Sequence, residues 1–241
     1  MRCPRTILTA GFVAALILLA STSIAQTKAF VIDERLSALR KRPDLKATLI
    51  RRLRIARPVF IIESRKSSLN HPPYFRVAVT RRTRGWIHQA ALAVPGRAGD
   101  DLSILNLINS LEQGIDRISL CRIFLDNFSR SALTPRVMLA LGREAETAAA
   151  ELSRRAGRRL QSLNDFKPGH KLRDYYLSDP GLDRYNRLRV TFEFDPSSRS
   201  YVYDCKAYRE IIKRFPASPE ATLARERIVS AERRLAQQQN R

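Results

Sequence analysis

Three histidines, two cysteines beyond the first apolar run and a group of glutamates are the residues of this 241-residue chain that could do chemistry. His71, His88 and His170 are scattered, and no His, Cys, Asp or Glu spacing suits a metal ion. No glycine-rich phosphate loop, nucleophile elbow or His-Glu-x-x-His helix occurs. Glu144, Glu146 and Glu151 share one helical stretch, and its periodicity predicts a solvated face. A hydrolase would need a serine, cysteine or metal centre in residues 95–241, and no motif there supplies one. The expectation is a protein that is not an enzyme and carries no cofactor or metal.

Cys121 and Cys205 offer a different chemistry, a disulfide. They stand seven and ten residues before Phe128 and Phe215, at the openings of two similar helical hairpins. Were those helices to pack side by side, the three-residue difference is about one turn and the sulfurs could meet. Two separate buried thiols are the alternative, since cysteine is among the most buried residue types.

Recognition suits the side chains better than catalysis. Residues 74–92 read YFRVAVTRRTRGWIHQAAL. Phe75, Val77 and Val79 alternate with polar residues at the period of a half-buried strand. Gly85 then allows entry into a second strand, where Trp86 has the apolar area to anchor a very small barrel. Tyr74, Arg81, Arg82, Arg84, Trp86 and His88 are the candidate binding residues on this hairpin. His88, at a strand end, reads as structural.

The elements that must hold this hairpin are short strands between turns. Residues 38–43, 49–53 and 58–62 are apolar segments, with Pro43 and Pro58 where proline fits, at strand starts or edges. Residues 30–94 therefore predict one small β-barrel. Its order of segments resembles a bacterial SH3 domain, a binding module with no chemistry of its own. Leu39, Arg40 and Pro43 match that family's opening turn "N-V-R-x-G-P"; Leu53, Val59 and Ile61 match the following turn and strand. The Gly85-Trp86-Ile87-His88 phrase matches its closing hairpin. Arg42 and Ala56 stand where the family usually has glycine, which implies turns of changed type or a strained backbone.

Near Pro95 the period changes from two to 3.6. Asp100 or Asp101 is a candidate helix cap, Leu102, Leu105, Ile108 and Leu111 recur at helical spacing, and Gly114 interrupts. Residues 115–128 and a helix opening at Pro135 follow, with Arg154, Arg155, Arg158 and Arg159 expected at the solvated end of the latter. A second hairpin, residues 207–221, reads AYREIIKRFPASPEA. It is similar to tetratricopeptide hairpins of exported bacterial proteins, and residues 120–145 align with it as a degenerate copy when Phe128 is set against Phe215. Residues 161–203 predict an irregular insertion ending in a β-hairpin over residues 188–203. They also hold five of the seven tyrosines, residues that suit either an interface or the cover of a helical layer. The fold class expected is α+β: a small SH3-like barrel, then a tetratricopeptide-like helical domain over residues 101–236 with that short β-hairpin inserted.

Compartment and charge narrow the function. Arg2 and Arg5 precede a 14-residue apolar run and the small-x-small pattern Ser23-Ile24-Ala25, the layout of a signal peptide over residues 1–25. The run is short of the roughly 20 residues that span a bilayer, so no transmembrane span is expected after cleavage. The expected location is exported, periplasmic or secreted. Removing two arginines with that segment leaves +19 of the +21 formal charge. Residues 35–84 hold 15 basic side chains against Asp44 and Glu63. Such a field attracts polyanions, although arginine outnumbers lysine 36 to 8, an excess that base composition alone can generate. The expected partners are an anionic cell-envelope polymer or surface for the barrel and a protein for the helical hairpins, with no nucleic acid. Two other roles stay open: an envelope assembly or accessory factor whose barrel is only structural, and an accessory to a cell-wall hydrolase.

Overall fold

The computed structural model describes residues 27–65, 73–162 and 172–239. The expected signal segment, His71, His170 and the turn at Lys167-Pro168-Gly169 lie outside them. Seven strands come first: β1 (Thr27–Val31), β2 (Ala38–Arg40), β3 (Leu49–Arg52), β4 (Pro58–Arg65), β5 (Tyr74–Ala78), β6 (Arg84–His88) and β7 (Leu92–Ala93). They form one antiparallel sheet in the order β3-β2-β6-β5-β4-β1-β7. Pro58 opens β4, where its missing N–H costs no ladder bond. Val59, Val77, Ile87 and Leu39 are fully buried on the inner side.

Among the described residues no ladder joins β3 to β7, so the expected barrel is an open sheet. The β1–β7 end packs elsewhere: Phe30 and Ala93 belong to the same buried cluster as Ile104 and Leu105 of the helical layer. β1 was not among the expected strands, yet it pairs with both β4 and β7.

Ala56 takes the left-handed conformation (φ 67°) that glycine would take at little cost. Its N–H donates to the Val31 carbonyl at 2.9 Å, which ties this turn to β1. Arg42, the other non-glycine turn residue, keeps a negative φ, so that turn has changed type instead.

The helical layer comprises α1 (Asp100–Ser110), α2 (Ile115–Asn127), α3 (Thr134–Ser162), α4 (Leu172–Leu177), α5 (Leu182–Asn186), α6 (Lys206–Arg214) and α7 (Pro219–Gln239), with the hairpin β8 (Phe192–Asp195) and β9 (Ser200–Tyr203). Neither aspartate caps α1. Gly99 (φ 81°) is the cap residue, with no side-chain bond. Asp100 is instead buried, accepting the Val94 N–H at 2.5 Å and Arg97 Nε at 2.7 Å, and so fastens the sheet's last residues to the first helix.

α3 is the spine. Its 29 residues span about 44 Å at 1.5 Å per residue, and Val137, Leu141, Ala145, Ala148, Leu152 and Ala156 form the stripe buried against its neighbours. The loops before α3 and α7 are geometric copies. The Phe128 N–H donates to the Phe124 carbonyl and the Phe215 N–H to that of Ile211. Ser131 and Ser218 then repeat the same backbone bonds three residues on, at 2.9 and 3.0 Å.

The insertion is more regular than expected, because α4 and α5 occupy part of it around the turn Asp179-Pro180-Gly181, where Asp179 Oδ1 accepts the Gly181 N–H at 2.7 Å. Its hairpin begins at Phe192 rather than at residue 188, since Arg189 turns left-handed (φ 57°) just after α5. The tyrosines are mostly interior: Tyr176, Tyr185, Tyr201 and Tyr203 are all buried. Tyr176 lies 4.5 Å from Phe194 and 5.2 Å from Tyr201, ring centre to ring centre.

Candidate functional site

The β5–β6 hairpin places the six candidate binding residues in two groups. Tyr74 pairs with His88 at its open end, and Ala78 with Arg84 at its closed end, four register steps or about 14 Å away. The aromatic group is interior. Tyr74 is 2% exposed and Trp86 9%. The Tyr74 ring meets His88 edge to face at 5.6 Å, and its hydroxyl has no hydrogen-bond partner among the described residues. Burial pushes the Tyr74 hydroxyl pKa up; Arg40 opposes that shift and Asp44 adds to it. His88 Nδ1 accepts the Ala90 N–H at 3.1 Å and caps the short turn of residues 89–91, which is a structural task. Arg65 covers Trp86 with its guanidinium 5.4 Å from the ring.

The cationic group is exterior. Arg81 and Arg82 occupy the tip, where Thr80 Oγ1 accepts the N–H groups of Arg82 and Thr83 at 3.3 and 2.9 Å. Arg84 opens β6, and all three arginines are exposed. Gly85 follows because a β-carbon there would meet the Arg40 carbonyl, Leu39 and Ile50 at 2.8 Å. Among the described residues the sheet's one ion pair is Arg76–Glu63, at 3.5 Å. Lys41, Arg42, Lys46, Arg51, Arg52, Arg54 and Arg57 are exposed and have no acidic partner among the described residues. What this arrangement can do is attract anions over a broad area. It does not bring Tyr74 and Trp86 into one open groove with the arginines.

Cys121 and Cys205 are free thiols, both buried, so the bridge considered from the sequence is not made. Cys121 lies mid-way along α2, beside Glu144 and Arg117, whereas Cys205 sits before α6 and lines a cleft. Burial pushes the Cys121 thiol up to about 12, Glu144 adding to the shift. Burial and then Glu146 raise Cys205. A thiol held protonated is a poor nucleophile and a poor metal ligand.

The glutamates depart from the expected solvated face. Glu144 is 4% exposed, paired with Arg117 Nη1 at 3.1 Å, and its other oxygen accepts the Gly114 N–H at 3.3 Å. Glu146 is half-buried and pairs with Arg227 at 3.4 Å; Glu151 is exposed, as expected. Helical spacing shows which residues share a face, but not that the loop at Gly114 covers it. Two cavities also went unread. One, of about 330 Å³ between α3, β9 and α7, is lined by Glu146, Ser153, Tyr203, Cys205 and Arg234. The other, of about 370 Å³, is lined by arginines of α3 and α5. Among the described residues no group of three His, Cys, Asp or Glu could hold a metal, and no helix is long and apolar enough to cross a membrane.

No family model, curated protein or solved structure matches the chain.

Proposed function

We propose that this is an exported, non-enzymatic binding protein whose N-terminal sheet, an SH3-like module, contacts an anionic component of the cell envelope. The tetratricopeptide-like helical layer serves as a docking platform for a protein. The observation that carries the reading is the unneutralised charge: Arg81, Arg82 and Arg84 project from one hairpin end without an acidic partner among the described residues. A field of this kind speeds encounter with polyanions and gives a contact that salt weakens. The burial of Tyr74 and Trp86 favours contact through charge over contact through an aromatic groove.

The test is retention of the whole protein on purified cell envelope across a salt series. Retention should fall steeply as salt rises, and Arg81→Gln/Arg82→Gln/Arg84→Gln should lower it at every salt concentration. Retention that ignores both salt and the triple substitution would sink the reading. Complete absence of retention would favour the second reading, an assembly or accessory factor in which helices bind a protein and the sheet is structural. Leu223 and Val229, exposed on α7, are the observation on its side.

A further inference from the structure

Arg154, Arg155 and Arg158 of α3 and Arg184 of α5 line the 370 Å³ cavity. Gly114, Ile115, Gly181 and Tyr185 complete the lining, and Glu151 is its one acid. The side chains of these four arginines make no hydrogen bond or ion pair among the described residues. Arg159, one position further along α3, behaves differently: it is paired with Asp179 and stands over the Tyr175 ring at 5.6 Å.

Attraction to the helix end accounts for Arg159 alone. α3 continues to Ser162, the basic residue of its last turn is Arg159, and the dipole's influence fades within that turn. Arg154 and Arg158 are four apart and Arg155 and Arg158 three apart, so like charges face one another on one side of the helix. Both elements act on the Tyr185 hydroxyl: burial raises its pKa, Arg155 opposes this, Glu151 reinforces it and Arg184 opposes it again. Four exposed guanidinium groups and one carboxylate around a concave space give it a net positive charge that a multiply charged anion would neutralise. The planar arginine fork suits phosphate oxygens best, and the volume falls in the range of small-ligand sites.

We propose that this cavity binds a multiply charged phosphate group. The site belongs to the helical layer and uses none of the sheet's arginines, so it goes beyond the function proposed above.

Inorganic pyrophosphate, titrated calorimetrically into the whole protein at low salt, is the probe. Saturable binding at one site is expected. Arg155→Gln/Arg158→Gln and, separately, Arg184→Gln should weaken it by about tenfold per arginine removed. Arg81→Gln/Arg82→Gln/Arg84→Gln should leave it unchanged. These arginines are at the surface, and an unchanged urea midpoint will show that each variant is folded. Absence of saturable binding, or equal affinity in wild type and in both cavity variants, overturns the proposal while leaving the sheet's role intact. Flotation of the Arg81→Gln/Arg82→Gln/Arg84→Gln protein with phosphatidylcholine vesicles containing phosphatidic acid, reversed by pyrophosphate, assigns the phosphate to a lipid headgroup. Pyrophosphate binding without flotation assigns it to a soluble phosphate ester.

Discussion

Gly142 of α3 lies so close to Tyr208 of α6 that a β-carbon on it would come within 3.0 Å of three ring atoms. Tyr208 is fully buried, so the ring has nowhere to retreat. Gly142→Ala should therefore destabilise the protein. Overpacking costs about 1–3 kcal/mol, against a gain of about 1 kcal/mol in helix propensity. A urea midpoint lowered by the equivalent of about 1 kcal/mol is the expected result; a raised midpoint would show that the two helices can part without loss.

Ala56 carries the opposite kind of substitution. Its positive φ is held by the bond to Val31, and a β-carbon in that region costs about 1–2 kcal/mol. Ala56→Gly removes that strain and returns about half of it as added freedom of the unfolded chain. The expected outcome is a melting temperature raised by a few degrees, at about 0.5–1 kcal/mol. A lower melting temperature would mean that the Ala56 methyl group contributes more by packing than the turn loses by strain.

Glu144→Ala should be the most damaging single change in the helical layer. It strands the mostly buried Arg117 guanidinium and the Gly114 N–H together. Breaking a buried pair from one side costs about 3–5 kcal/mol; Arg117 keeps some access to water, which places the expected loss near 3 kcal/mol. A double-mutant cycle with Arg117→Met measures the coupling directly, and a coupling near zero would refute it.

Alkaline conditions should unfold the protein early. The Cys121 thiol is raised from 9.0 to about 12, and the hydroxyls of Tyr201, Tyr203 and Tyr208 are raised by burial as well. Each of these groups is neutral when protonated, so the folded state holds the proton more tightly than the unfolded chain does. That stability is fully present below about pH 9 and is lost as pH climbs through the range up to about 12. Urea midpoints should be flat from neutral to about pH 9 and fall above it. A thiol reagent at neutral pH should label Cys121 only in denaturant; rapid labelling of Cys121 in the native protein would contradict its burial.

The hairpin carrying Gly85 and Trp86 was legible because a strand's two-residue period, a glycine and one large aromatic are all local signals. α1, α2, α3, α6 and α7 were legible for the same reason, whereas α4 and α5, only six and five residues long, were not. β1 was not, since TKAFV is short and its partners lie in β4 and β7, far along the chain. The arginines of α3 are exposed near its end, as expected, but only the return of α5 shows that Arg155 and Arg158 also border a cavity. Glu144 looked solvated until the loop at Gly114 covered it. In each case the missing information was which distant segment comes back to pack.

Phe30 and Ala93 sit in the helical core although they belong to the sheet. Removing the helices would bare the Phe30 ring, and removing the sheet would uncover the helical core beside Ala93, so the two parts are expected to melt together. Calorimetry should give a single peak whose van't Hoff and calorimetric enthalpies agree. A ligand that grips the sheet alone will then slow hydrogen exchange deep in α3, because opening either part requires opening both.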